Sequence, residues 1–465
     1  MKRPHNRKKT ALVAGAALMA LLLTGCSVAD PIVHVGSPSP LASESATMAQ
    51  TASPVTPQPT GRENEDAEPT AALSSAEPTE AIGSGAYTIA ADTSESQKIY
   101  YSEQADENAL RVENGVEAKL DGASIEKRSG DASSIADTID CGLNAAVLVR
   151  EGATLSLLSS EVISSPLGAG GVFTEGGTVN LDTGHVRVSG DSSYGLSATA
   201  GGSILTRETD IATQGENSPA IRTVDEGNVS LDGGIVTTGG KNSPLVDASG
   251  IVIAKNATLR ASVSAACMVN AGASVALTDC AVSGRMGDVF SSDALISPYC
   301  VALYRDGENS EQKSVFSMTR GALTAQKGDL FYVTNTSATI YLEGVALSHG
   351  ENNLLLRVSG NDGSFGWGKA GSNGADCTLS ANNQSLTGDI VVDELSSVSL
   401  VLKGDSDYTG TINTANTAKV AKVTLGDGCT WTLTGNAYLT SFSGRVSGIV
   451  TNGFTVYVNG QVLAG

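Results

Sequence analysis

The sequence predicts an all-β solenoid, a parallel β-helix, on three observations. A glycine-containing doublet recurs at Gly152-Ala153, Gly176-Gly177, Gly201-Gly202 and Glu226-Gly227, spaced 24, 25 and 25 residues apart. Alternating apolar side chains follow each doublet, at Leu155/Leu157, Val179/Leu181, Ile204/Thr206 and Val229/Leu231, and a second run carries Val162, Val186/Val188, Ile211/Thr213 and Val236/Thr238. Gly190, Gly215 and Gly240 then close successive units at a period of 25. A short strand with every second side chain apolar buries one face. A unit of this size cannot cover that face alone, but it can when stacked on a copy of itself. Helical repeats of similar length need sustained 3.6-residue periodicity, and none is present. The leucine and asparagine spacing of a leucine-rich repeat is missing too.

Taken from the N-terminus, Lys2, Arg3, Arg7, Lys8 and Lys9 precede a short apolar stretch, residues 11–23, that ends in Leu23-Thr24-Gly25-Cys26. This resembles a bacterial lipoprotein signal, in which the cysteine is diacylated on sulfur and the chain is cut before it. The apolar stretch is short for a spanning helix. Residues 1–25 are therefore expected to be a signal peptide and Cys26 a lipidation site, with membrane lipid as its partner and two acyl chains sufficing for stable anchoring. The expected location is outside the cytoplasm, tethered to the membrane and facing the cell surface. Residues 26–97 are rich in Ser, Thr, Ala, Pro and Glu, as in Glu68-Pro69-Thr70 and Glu77-Pro78-Thr79, and read as a disordered tether.

The β-helix is expected over residues 98–465. Asn108-Ala109-Leu110-Arg111-Val112-Glu113-Asn114-Gly115 parallels the stretch from Asn144 to Gly152, and Leu120 and Ile125 continue the apolar runs. A polar excursion interrupts the early coils between Lys127 and Thr138. Residues 98–106 are the candidate N-terminal cap, and residues 448–463 the C-terminal one. After Ser243 the rhythm loosens, and residues 286–297, 305–313 and 359–376 read as loops leaving the coil, where binding surfaces tend to collect.

The 465 residues include 53 glycines and few aromatics, and 29 basic against 49 acidic side chains give a net charge of −20. Such a balance disfavours nucleic acid, whose backbone needs a basic stripe. Apart from Cys26, the cysteines are Cys141, Cys267, Cys280, Cys300, Cys377 and Cys429. They allow fifteen disulfide pairings or, equally, burial as small apolar residues. No CxxC pair or histidine partner suggests a metal or thiol site, and no cofactor motif is present.

At this point a family resemblance enters. The segments Asp106-Glu107-Asn108-Ala109-Leu110, Phe331-Tyr332-Val333-Thr334-Asn335-Thr336, Gly366-Trp367-Gly368, Gly388-Asp389-Ile390 and Trp431-Thr432-Leu433-Thr434-Gly435 resemble those of adhesin-like surface proteins of Gram-positive bacteria. That resemblance implies a single-stranded, right-handed parallel β-helix of the pectin-lyase-like class. The class includes polysaccharide lyases and glycoside hydrolases, so catalytic sites must be sought. A calcium-dependent lyase needs carboxylates stacked in register, yet Asp182, Asp210, Asp225 and Asp232 read as scattered over different turn phases, and Arg187, Arg207 and Arg222 do not share a column. His185 and His349 have no Asp-Asp neighbour, and His185 reads as a solvent-facing strand residue. No catalytic residue is assigned.

The expected function is therefore non-enzymatic adhesion, with a glycan or host surface protein as partner. Tyr299, Tyr304, Phe365 and Trp367 are the candidate binding residues, with Tyr332 and Tyr341 also available for stacking. Two other readings stay open: a polysaccharide-degrading enzyme using the loops near 285–376, and a structural envelope protein without a ligand. Carboxylates converging in a cleft there would favour the enzyme; a flat Ser, Thr and Asn face would favour binding.

Overall fold

The coils are built from three short strands joined by three bends, except that Ser274–Gly284 and Lys313–Ala325 each run through two faces as one strand. The computed structural model describes residues 83–287, 298–307, 312–350 and 354–465, with the backbone of the strands Val33–Val35, Val289–Ser291 and Ala294–Ile296. All of these belong to one unit, running from Ile32 to Gly465. The predicted signal peptide and Cys26, and most of the predicted tether, lie outside the described residues.

The coil at residues 147–164 shows the plan. Val147–Val149 lies on the first face, Thr154–Leu158 on the second and Glu161–Ser164 on the third. Each strand pairs in parallel with its counterpart one coil on: Val147 opposite Val172, Leu155 opposite Val179, and Val162 opposite Val186. Face I grows to a 12-stranded parallel sheet from Ser84–Ile89 to Asp389–Val392. The result is an all-β parallel solenoid, as the repeat predicts. Val179, Ile204 and Val229 are Cα partners in succession, and all three are fully buried. Burying each such side chain contributes about 1.5–3 kcal/mol.

The bends follow from backbone geometry. Between faces II and III the chain turns left-handed at Thr183, Glu208, Gly233, Asn256, Asp279 and Arg320, with φ between 44° and 80°, and Gly234 and Gly321 extend the turn in their coils. The variety of residues there shows that the stack imposes this conformation against intrinsic preference. The glycines at 190, 215 and 240 have another cause. Their φ is ordinary, but a Cβ on Gly240 would lie 1.7 Å from the Gly215 carbonyl oxygen, and one on Gly215 would lie 2.0 Å from that of Gly190. Backbone passes directly over backbone at that corner, and only glycine fits. Ser193, Ser218 and Ser243 stitch the same corner: the Ser218 hydroxyl accepts from the Ser193 amide at 3.1 Å, and the Ser243 hydroxyl from the Ser218 amide at 2.9 Å.

Several boundaries differ from the sequence expectation. The first coil begins upstream of residue 98: Ser84–Ile89 pairs with Glu107–Val112, and Thr93–Ser96 with Glu117–Asp121. Residues 98–106 are no cap, since Ile99–Ser102 is itself a coil strand paired with Ser124–Lys127. The polar excursion contains a helix, Ile135–Cys141, that begins under the Ser134 hydroxyl and stops at left-handed Gly142. Near the C-terminus, Gln461–Ala464 folds back antiparallel on Val456–Val458 and closes the stack. All six cysteines of the described chain are free thiols, and all but Cys141 are buried. Burial raises the Cys300 and Cys377 thiols to about 12 and Cys267 further still.

Candidate functional site

On face I the inward side chains build the core, and their neighbours form one outward column. In register it runs Arg111, Leu148, Phe173, Ser197, Arg222, Asp247, Met268, Ala302, Tyr332, Arg357 and Val391. An outward column on a solenoid normally meets water. Here two excursions cover it. The helix Ile135–Cys141 and the turn after it lie over the early coils, where Ala145, Leu148, Phe173 and Tyr194 form a buried cluster. A Cβ on Gly142 would sit 2.6 Å from the Phe173 ring. The loop 359–375 leaves the coil after Leu354–Val358 and brings Trp367 into a second cluster with Tyr299, Ala302 and Tyr332. Between the two clusters lie Ser197, Arg222 and Asp247, and Met268 packs against the second.

An aromatic shelf borders this gap. Tyr304 and Trp367 have ring centroids 4.6 Å apart, and Phe365 stands 5.0 Å beyond Trp367. Phe365 is 40% exposed, whereas Trp367 is 8% exposed, so the shelf runs from solvent into the protein. A network of amides holds it. The Asn335 side chain donates to the carbonyls of Arg305 and Gly307 at 3.0 and 2.9 Å. Asn361 and Asn373 both donate to the Trp367 carbonyl, at 2.9 and 3.1 Å. The Gly307 amide donates to the Gly366 carbonyl at 3.1 Å, tying the two loops together. A loop fixed this way loses little freedom on binding.

The charges in the gap are unevenly satisfied. Arg222 donates to the Ile139 carbonyl at the end of the helix, at 2.8 Å. Asp247, its Cα partner one coil on, is half-buried, and burial pushes its carboxyl above the usual range, opposed by Arg222 and reinforced by Asp306. No described residue gives Asp247 a hydrogen bond or an ion pair. Asp306 is exposed on the loop beside the shelf, and the charges of Asp247 and Asp306 add to burial in raising the Tyr304 phenol. The buried Ser197 hydroxyl likewise has no partner among the described residues. Buried polar groups without partners are rare in folded proteins, and each needs an explanation.

The four predicted binding aromatics therefore converge. Tyr304, Phe365 and Trp367 form the shelf, and Tyr299 supports it from below, 5.5 Å from Tyr332. Tyr341 does not join them: it lies in Ser337–Glu343 on face II and donates to Glu343 at 2.7 Å. Sequence reasoning missed Asp247 and Asp306. The signal was phase, because Asp247 follows Arg222 by one repeat.

The other charged residues resolve by position. Arg187 lies on face III, Arg207 on face II and Arg222 on face I, so they share no column. Asp182 and Asp232 do share one, contrary to the sequence reading, with Arg207 between them and paired to Asp182. His185 faces solvent, 3.7 Å from Asp210. Asp389 accepts from Thr411 and Thr434, and Asp393 from Gly360 and Leu395, which makes both structural. No grouping of three or more His, Cys, Asp or Glu suited to a metal occurs among the described residues. Among them, too, no helix is long and apolar enough to cross a membrane. The outer side of face II carries a shallow concavity of about 290 Å³ lined by Ser337, Thr339, Asp376, Thr378, Ser399 and Lys422. Comparison with protein-family profiles, with curated proteins and with solved structures finds no match.

Proposed function

We propose that the protein is a surface-anchored, non-enzymatic lipoprotein, acylated at Cys26 and displayed outside the cytoplasm, whose solenoid binds glycan. In this reading the solenoid is a right-handed, pectin-lyase-like β-helix, and residues 36–82 serve as spacer. The shelf of Tyr304, Trp367 and Phe365 beside the Asp247 carboxyl, which no described residue hydrogen-bonds, carries the proposal. Aromatic rings take the apolar face of a sugar ring, and a carboxylate accepts from its hydroxyls. With a net charge of −20, a neutral glycan suits the surface better than an acidic one. An inert envelope rod would have no use for an exposed aromatic beside such a carboxylate.

One observation favours a second reading, cleavage of a polysaccharide. Asp247 and Asp306 occupy contrasting environments, one half-buried and one exposed, as acid and base roles require. The two readings part in a single experiment. The purified mature chain is titrated against a panel of neutral and acidic glycans while released product is followed. Binding without product, weakened about tenfold or more (~1.4 kcal/mol) by both Trp367→Ala and Asp247→Asn, supports adhesion. Product release that Asp247→Asn abolishes with affinity intact supports the enzyme. Binding that neither substitution weakens removes the shelf from both.

A further inference from the structure

The stack's last strand on face II is Ser441–Gly444, and an open strand edge there would be a template for pairing with another chain. Its inner side pairs in parallel with Val420–Leu425. Its outer side is taken by Val33–Val35, running antiparallel, with Val33 opposite Gly444, His34 opposite Ser443 and Val35 opposite Phe442. Every other pairing within that sheet is parallel. The added strand comes from the far end of the sequence, whereas the first coil does not begin until Ser84.

The sequence explains why this segment, within the predicted tether, can do it. Ile32-Val33-His34-Val35 is rich in β-branched residues and stands between Pro31 and Gly36-Ser37-Pro38, which stop a strand at both ends. The rest of residues 27–82 has no comparable run. Reach is no obstacle. Twelve strands on face I, with further coils beyond them, make a stack roughly 70 Å long at ~4.8 Å per coil. Residues 36–83 extend to well over 100 Å at about 3.3–3.6 Å each.

We infer that residues 33–35 are a strand latch that caps the C-terminal edge of the protein's own solenoid, and so sets which end of the rod faces the membrane. The orientation rests on the proposed acylation of Cys26; the latch does not. Only seven positions separate Cys26 from Val33, at most about 25 Å of chain. An acylated Cys26 would therefore keep the C-terminal edge of the stack within that reach of the lipid, with the first coil at the other end of the stack. Without the latch, the tether would present the first coil's end to the membrane.

The latch is tested on the mature chain carrying Cys26→Ser and Cys141→Ser, so that neither acylation nor the one partly exposed thiol contributes. His34→Cys with Ser443→Cys is expected to form an intramolecular disulfide under mild oxidation, with a yield independent of protein concentration. His34→Cys with Ser94→Cys, in the first coil, should stay unlinked. In a second measurement without new cysteines, Val33→Pro with Val35→Pro is expected to speed hydrogen exchange of the Phe442–Gly444 amides by at least about tenfold. Cross-links only between molecules, or equal linking to Ser94→Cys, or unchanged exchange in the proline variant, would overturn the latch. Labelled palmitate incorporated at the wild-type Cys26 tests the anchor separately. If the link forms while the lipid does not, the latch stands and the orientation falls.

Discussion

The coils between residues 147 and 261 and those between 267 and 392 share one backbone plan but spend their residues differently. In the first region, partners on face I lie 24 or 25 positions apart, as from Val172 to Leu196 to Ile221 to Val246. In the second, the step from Cys267 to Val301 is 34 positions, and that from Leu356 to Ile390 is again 34. The strands remain parallel through both, with one register shift, between Leu354 and Leu356 where that strand meets Asp389–Val392. Extra residues are placed outside the coil, so the core is indifferent to them. The lesson is a division of labour: the even coils supply rigidity, and the uneven ones supply the aromatic shelf.

Substitutions can sharpen that contrast. The largest effect is expected at the backbone crossing, where Gly240→Val would drive side-chain atoms into the Gly215 carbonyl; a loss of about 3 kcal/mol or more should appear as early denaturant unfolding. Gly287→Ala, in an uneven coil with no described residue within 4 Å of the new Cβ, should leave the unfolding curve in place. Equal costs at the two sites would dissolve the distinction between coil and loop. Next comes Ile211→Ala, which empties a fully buried position in the even region and should cost about 2–5 kcal/mol, read from the same curves.

A pH effect is expected at the N-terminal end. Lys127 is wholly buried, and its ammonium donates to the Glu107 carbonyl at 2.9 Å and to the Ser102 hydroxyl at 3.2 Å. Burial lowers it to about 8, below the ordinary lysine value of about 10.4. The folded state therefore bears a cost for the charge below pH 8 that disappears as pH rises through about 10.4, so stability should climb across that window. Subtracting the pH profile of Lys127→Met isolates this contribution; a difference that is flat or falls over the window would contradict it.

Asp247→Asn is a subtler probe. A raised carboxyl means that the folded state loses stability as pH rises from the ordinary carboxylate value through the raised one. At neutral pH the substitution should therefore raise the thermal midpoint slightly while weakening glycan binding, the exchange of stability for function expected at a site. The smallest effect belongs to Arg207→Ala, which removes an exposed pair with Asp182 on the even coils and should change stability by no more than about 1 kcal/mol.

How much of this was legible in the sequence follows the same division. The alternation at Val179, Ile204 and Val229 revealed the stack because inward residues of an even coil repeat with its period. The first coil was not legible: Thr93–Ser96 is Thr-Ser-Glu-Ser, with no side chain fully buried at the open end of the stack and hence no apolar signature. The helix Ile135–Cys141 is two turns long, too short for a periodic pattern, although the Ser134 cap and Gly142 were available as marks of its ends. Shelf residues could be chosen by type, but their convergence depends on Asn335, Asn361 and Asn373 gripping carbonyls on neighbouring loops. Nothing in local sequence encodes that grip. Arg222 was compared with arginines on other faces, so its true neighbour, Asp247, went unseen.

The buried thiols carry a last consequence. A sulfhydryl exchanges or oxidises through its thiolate, and with Cys300 and Cys377 held near 12 that form is vanishingly rare at neutral pH. Once folded, the chain keeps Cys267, Cys300 and Cys377 out of thiol exchange, and the described residues are held together without a covalent staple. Reducing agents that dismantle many exported proteins should pass this one by.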